Sequence, residues 1–439
     1  MMCPQQHEHL PSLPAEWPVA RVDDLFQIQT GKQVSKKNRV GPNQRPFLRT
    51  RNVYWGRLDL ADVDEMHFTK AQEKRLALRT GDLLLCEGGS VGRTAVWADE
   101  MAGCYYQNHL HRLRVSDGRV DPHFAMYWFW YAFDLGGVYF GRKNVTTIPN
   151  MSKSRLAELP MPCPAFAEQK DIAAVLSATR QAIDQQERLV VLTTELKNAL
   201  MEKLFSEGVD GGQTKESEIG HVPMSWEVLP LGDCLVRTQY GLSVKGSTSG
   251  QYPILRMTNQ VNGKISSHDL QWVQIEDEEF QKFRVDHGDL LFNRTNSFDL
   301  VGRTSIFDID GDYVFASYLI RLRTDEERLN PFFLNHYLNC ASTQARLKTI
   351  ATRAVSQSNI SATRLKGFLI PLPSPEEQVE IVRTLDILDN KIGLHERWRD
   401  ALESMFNTLL HELMTGGVRI TDLDLGGLRS NAPQREDVA

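Results

Sequence analysis

The sequence predicts an α+β chain: two globular domains joined by two long antiparallel coiled-coil helices, related by a pseudo-twofold internal repeat. Three observations predict it. Short motifs recur in the same order after about 210 residues, each copy closes on a long heptad pattern, and matching basic windows sit in both copies. At 439 residues the chain is also too long for one compact core.

The internal repeat sets the architecture of the whole chain. LPAEW, ending at Trp17, matches VPMSW, ending at Trp226, and PFLRTRN at 46–52 matches PILRMTN at 253–259. GDLL recurs from 81 to 288, VGRT from 91 to 301, and RLR from 112 to 321. DPHF at 121–124 answers to NPFF at 330–333, PMPCP at 160–164 to PLPSP at 371–375, and Glu168-Gln169 to Glu377-Gln378. So many collinear matches with nearly constant offset mark a duplicated domain, and the period is too long for a solenoid.

Each copy is about 150 residues of short β-like runs, turns and short helices, followed by a helix. The first domain is expected over 14–164 and the first long helix over 165–207. A linker at 208–221 leads to the second domain at 222–375, the second long helix at 376–415 and a tail at 416–439. From Glu168 to Phe205 there is no Pro or Gly. Ile172, Leu176, Thr179, Ile183, Gln186, Val190, Thr193, Leu200 and Leu204 alternate at spacings of about three and four. Ile381, Leu385, Leu388, Ile392, His395, Leu402, Leu409 and Leu413 continue the same register in the second copy. An amphipathic helix lying on its own domain is the plainer alternative. Length favours a coiled coil, since ~38 residues span roughly 57 Å. Gln186, Thr193 and His395 are register-setting or simply tolerated polar positions.

Composition excludes several classes. With 41% apolar and 24% charged residues the chain reads as a soluble globular protein. No run of 18 apolar residues occurs, and the N-terminus lacks the apolar core of a signal peptide, so a cytoplasmic location is expected. Cys3, Cys86, Cys104, Cys163, Cys234 and Cys340 form no CxxC pair and read as reduced thiols, and no His/Cys cluster has zinc spacing.

The net charge of −6 hides segregation. From Gly31 to Arg57 there are eight basic residues and no acid, and Arg237 to Lys264 is likewise acid-free. So are Arg142 to Arg155 and Arg346 to Lys366, both rich in Asn, Gln, Ser and Thr. Lys and Arg neutralise phosphates, and Arg, Asn and Gln make the bidentate contacts that distinguish bases. A lone basic run is usually a solvated loop; matched runs in both copies of an acidic chain point to double-stranded DNA. The candidate contacts in the first copy are Lys32, Lys36, Lys37, Arg39, Arg49, Arg51, Asn52, Arg93, Arg142, Lys143, Asn144 and Lys153. In the second they are Lys245, Arg256, Asn259, Arg294, Asn296, Arg303, Arg353, Gln357, Asn359 and Arg364. The acidic surplus, for example Glu276 to Glu279, is expected to face protein partners.

Catalytic motifs do not emerge. NPFF lacks the second Pro of an adenine methyltransferase motif, and its partner is DPHF, so both read as helix starts with Asn330 or Asp121 capping and Pro in the first turn. GGSVGRT at 88–94 has the wrong spacing for a phosphate-binding loop and reads as a β-turn. No metal ligand set is expected, and no Ser or Cys sits in a nucleophile motif.

The GDLL…VGRT block, the Asn-[Ile/Met]-Ser approach to each helix (Asn150 to Pro164, Asn359 to Pro375) and the Glu-Gln helix start resemble the specificity subunits of type I restriction-modification enzymes. The resemblance spans roughly 14–415. It implies two target recognition domains, each reading half of a bipartite, interrupted DNA site, with centres about one helical turn (~10 bp) apart if both meet one face. The long helices would serve as a ruler that docks two methyltransferase subunits. The chain itself would hold no cofactor; the partners bind S-adenosylmethionine, and a restriction/translocase subunit uses ATP and Mg. CEGGS in the first copy replaces NRTNS in the second, so the domains should read different bases. The competing reading is a stand-alone two-headed DNA-binding structural or regulatory protein. A fused enzyme with its own active site is a third reading, against which the missing motifs argue.

Overall fold

The structure is a computed structural model that describes residues 10–36, 38–139, 150–353 and 357–422. It divides into two compact units: Met1–Gln186 with Trp398–Ala439, and Glu187–Arg397. The internal repeat and both long helices are present, at Phe166–Glu207 and Pro375–Thr415. Each helix is shared between the units, so each unit is a globular head with half of each helix.

In the first unit a four-stranded antiparallel sheet runs Phe26–Thr30, Leu110–Val115, Leu83–Cys86, Thr94–Val96. A three-stranded sheet beside it pairs Gln44–Leu48 with Asp64–His67 and with Tyr105–Tyr106. In the second unit Leu235–Tyr240, Leu319–Thr324, Leu290–Asn293 and Thr304–Ile306 repeat the first order, with Lys264–Ile265 and Gln260–Val261 added at the edge. Tyr252–Leu255 repeats the three-stranded sheet, between Gln271–Val273 and Val314–Phe315.

The repeated motifs are structural joints. Gly81 and Gly288 take φ of +87° and +85°, the left-handed turn that opens each GDLL strand. The Asp that follows is buried and charge-paired: Asp82 with Arg114 at 2.6 Å, Asp289 with Arg323 at 2.7 Å. RLR is therefore conserved between the copies as the partner of GDLL. Asp121 and Asn330 each cap a nine-residue helix with Pro at its start, accepting from the amides two and three residues on.

The Glu-Gln helix start clamps each head to its helix. Trp17 Nε1 donates to Glu168 and Trp226 Nε1 to Glu377. Gln169 is fully buried; it accepts from the Asp121 amide and donates to the Arg119 and Pro164 carbonyls. Gln378 repeats this with Asn330, Arg328 and Pro373. Buried polar side chains need such full satisfaction.

Within the second unit the two helices are antiparallel: Lys197 meets Asp389, while twelve residues further on Val209 meets Glu377. Of the heptad positions, Ile172, Leu176, Thr179, Ile183, Thr193, Leu204, Ile381, Leu385 and Leu413 are buried. Met201, Phe205, Phe406, Leu410 and Met414 form a second buried stripe. They pack into the head cores, as where Phe205 meets Phe333 and Tyr337 edge-on. A strict a/d seam would leave them on a flank; here the helices have two partners, each other and a head. No helix among the described residues is long and apolar enough to cross a membrane.

Candidate nucleic-acid interface

The structure divides the proposed contact residues into three groups. The first is structural. Lys32 is buried, its ammonium donating to the His67 carbonyl and to Gln72 Oε1 and lying 4.9 Å from the Phe68 ring centroid. Burial depresses its pKa. Asn52 and Asn259, 3% and 1% exposed, are loop staples. Asn52 accepts from the Arg49 amide and donates to the carbonyls of Asp59 and Asp62; Asn259 accepts from Arg256 and donates to Ser266 and His268. These three cannot present free polar groups to a ligand, which corrects the sequence reading.

The second group is already paired. The window Gly31–Arg57 is acid-free in sequence but not in space. Arg45 meets Glu73 at 2.7 Å, Arg49 meets Asp64 at 2.9 Å, and Arg51 bridges Asp62 and Asp64. The neighbouring strand Asp64–His67 supplies Asp64. Arg256 pairs with Asp269 at 3.3 Å. Arg49, Arg51 and Arg256 thus act first as supports of their own loops.

The third group remains available. Lys36, Arg39, Lys153, Lys245, Arg303 and Gln357 are exposed, and none makes a side-chain ion pair among the described residues. Arg57 and Arg93 both lie over the Tyr54 ring, at 5.1 and 5.3 Å from its centroid. In the second unit a small sheet of Thr295–Asn296, Ser358–Asn359 and Thr352–Arg353 gathers several candidates. Asn359 donates to Thr295 Oγ1, Arg364 to Thr352 Oγ1 and the Ile350 carbonyl, and Asn296 to the Met257 sulfur. Arg353 lies 3.8 Å from the Phe298 centroid and Arg294 4.6 Å from Tyr240. A cation on an aromatic face can still offer N–H groups to phosphate or base, although Arg294 Nη1 also donates to the Ser317 carbonyl at 3.4 Å. Lys37, Arg142, Lys143 and Asn144 lie outside the described residues.

One further residue belongs with these candidates. Glu87 occupies the station of Arg294: the Met151 amide bonds the Glu87 carbonyl as Ile360 bonds Arg294, and Glu87 bonds His109 as Arg294 bonds Tyr318. The Glu87 carboxylate lies 3.7 Å from His109. The same backbone socket therefore carries opposite charges in the two units. The contrast between CEGGS and NRTNS is the signal in the sequence, and Glu87, being acidic, stands outside the basic windows.

The five described cysteines are free, and burial pushes Cys86 and Cys104 up to about 12, so neither is a ready nucleophile. Cys3 lies outside the described residues. Glu276–Glu279 begins the helix Asp277–Phe283, where acids favour the N-terminal dipole.

The sequence model of the family described as type I restriction modification DNA specificity domain matches residues 14–193 and again 223–404, most of the chain. The chain belongs to this family. Over 207 residues this specificity-domain protein is 34% identical to the type I restriction enzyme MjaX specificity subunit of Methanocaldococcus jannaschii; the match covers 46% of this chain and 49%, about half, of that relative. It is 24% identical over 427 residues to the MjaVIII specificity subunit of the same organism, covering 94% and 95% of the two chains. The crystal structure of a type I restriction-modification S subunit from M. genitalium shares its fold, with a TM-score of 0.56 at 18% identity, over 92% of this chain and 98% of that one. Both copies of the specificity domain coincide with the two heads and run on into the long helices.

Proposed function

We propose that the chain is the sequence-specific DNA-recognition subunit of a type I restriction-modification complex, each head reading one half of a bipartite target. One observation carries this: equivalent sockets hold the same backbone joints but different side chains, Glu87 in one head and Arg294 in the other. Matching frames with differing tips suit two readings of one duplex. A carboxylate accepts from cytosine N4, whereas a guanidinium donates to guanine O6 and N7. Arg57, Arg93, Lys36, Arg39 and Lys245 supply the phosphate attraction.

The chain is not itself an enzyme on this reading. Two methyltransferase subunits that bind S-adenosylmethionine dock on it and modify adenine, and restriction subunits that use ATP and Mg cut the DNA. The exposed apolar residues of the long helices, among them Leu192, Leu196, Ile387 and Trp398, suit such protein partners. The named relatives favour a subunit over the stand-alone alternative. Two linked heads also multiply weak half-site affinities through effective concentration.

The test is to map methylated adenines by single-molecule sequencing in cells carrying the intact system, then to replace residues 222–370 with the equivalent segment of another family member. One half of the target should change while the other stays. A change in both halves, or in neither, removes the two-head reading.

A further inference from the structure

The two heads meet their long helices through the same positions but with different chemistry. In the first unit Tyr127 donates to or accepts from Ser177 at 3.1 Å, and Phe406 packs on Tyr127 and Trp130 at 6.1 and 4.9 Å. Trp55 stacks on Trp130 at 5.6 Å and completes an aromatic plug. Adding the repeat spacing of 209 places His336 at Tyr127, Asp386 at Ser177, Asp389 at Arg180 and Asn339 at Trp130. Phe406 likewise corresponds to Lys197. Where the first unit is filled, the second has a polar cleft of about 760 Å³.

Three metal-ligating side chains converge in that cleft. His336 comes from the helix Pro331–Asn339, and Asp386 and Asp389 stand one turn apart on the second long helix. Their ligand atoms all lie within 4.8 Å of one another. His336 Nε2 is 3.4 Å from Asp386 Oδ1. A second observation concerns the cleft wall. Gln260 and Ser305 are among its lining residues and are nine-tenths or more buried, and among the described residues Gln260 Oε1 and Ser305 Oγ have no hydrogen-bond partner.

We propose that His336, Asp386 and Asp389 form a divalent-cation site in the second unit alone. One imidazole nitrogen and two carboxylates suit Zn²⁺ or Mn²⁺, with the remaining positions open to water. The site joins the head to the second long helix, so a bound ion does there what the aromatic plug does in the first unit. Lys197 is its built-in competitor: its ammonium lies 2.6 Å from Asp389 Oδ1, with both side chains largely buried. An ion displaces this pair, and the lysine lowers the affinity by holding one ligand. The first unit, with Tyr127, Ser177 and Arg180 at these positions, offers no such set. The proposal stands apart from the DNA reading.

Mn²⁺ alone, added to the full chain stripped of metal with EDTA, is the probe. Expected is one tightly bound Mn²⁺ per chain whose electron spin-echo spectrum shows coupling to one imidazole nitrogen. Asp386→Asn, at a half-exposed position, should keep the fold and weaken binding at least about tenfold, and His336→Gln should abolish the nitrogen coupling. Lys197→Met should tighten binding. Absence of imidazole coupling in the parent chain, or binding that Asp386→Asn leaves unchanged, overturns the proposal.

Discussion

The Trp226 indole donates to Glu377 Oε2 at 2.7 Å, and Trp17 makes the same bond to Glu168 at 3.2 Å. Each bond closes a head onto the first turn of its long helix across 151 residues of sequence. Glu377 also accepts from the Val209 amide, and Glu168 meets Arg419 at 2.9 Å, so each carboxylate gathers further chain around the indole. Trp226 is 1% exposed, and its N–H has nowhere else to go. Glu377→Ala should therefore destabilise the protein by about 1–3 kcal/mol. A denaturant melt monitored by tryptophan fluorescence checks it; an unchanged midpoint would show the clamp to be ornamental.

Asn52 and Asn259 hold their loops by three hydrogen bonds each. Replacing either with Ala leaves buried backbone groups unpaired, at a cost of about 1–3 kcal/mol each. DNA affinity per folded molecule should stay near that of the parent. Melting curves and binding titrations together separate this support role from base contact, which would weaken binding without lowering stability.

Hydrogen bonds from Arg45 and then Asn43 hold the Glu73 carboxyl down to about 2, from an ordinary value of 4.5. The folded value lies below the unfolded one. Its contribution to stability is thus present above about 4.5 and is lost as pH falls toward 2. Arg45→Met should flatten that part of the acid-denaturation curve. Parallel unfolding profiles of the two proteins between these limits would count against the linkage.

Lys36, Arg39 and Lys245 are exposed and free of ion pairs among the described residues. Substituting each with Gln should weaken DNA binding similarly on every sequence and lower the slope of log affinity against log salt by about one. An altered target preference from Lys245→Gln would instead make it a base reader.

Glu87→Gln should change the preference in one half of the target, and Arg294→Lys in the other, because the two occupy the same socket in different heads. Arg294→Lys keeps the charge and loses the bidentate fork, so discrimination should fall by ~1–3 kcal/mol while non-specific binding persists. Sequencing of methylated adenines reads both effects. A shift in the same half-site from both variants contradicts the assignment.

The duplication was legible because it is written in the order of motifs, and Asp121, Asn330 and the two prolines mark helix starts by local chemistry alone. Helix length was legible because no breaker interrupts 168–205. The role of the motifs was not. GDLL and RLR look unrelated until the fold buries Asp82 beside Arg114, and the Glu-Gln pair looks like a helix cap until it meets a tryptophan 151 residues away.

The sequence by itself therefore determined the repeated architecture, the long helices and the family, since those rest on local periodicity and on order along the chain. Only the tertiary structure decided which basic residues stay free. Charge pairing depends on distance in space, and the acids that neutralise Arg45, Arg49 and Arg51 come from outside their acid-free window. It also decided that one head is plugged with aromatic rings where the other opens a cleft onto His336, Asp386 and Asp389. That difference exists only where helix and head pack against each other.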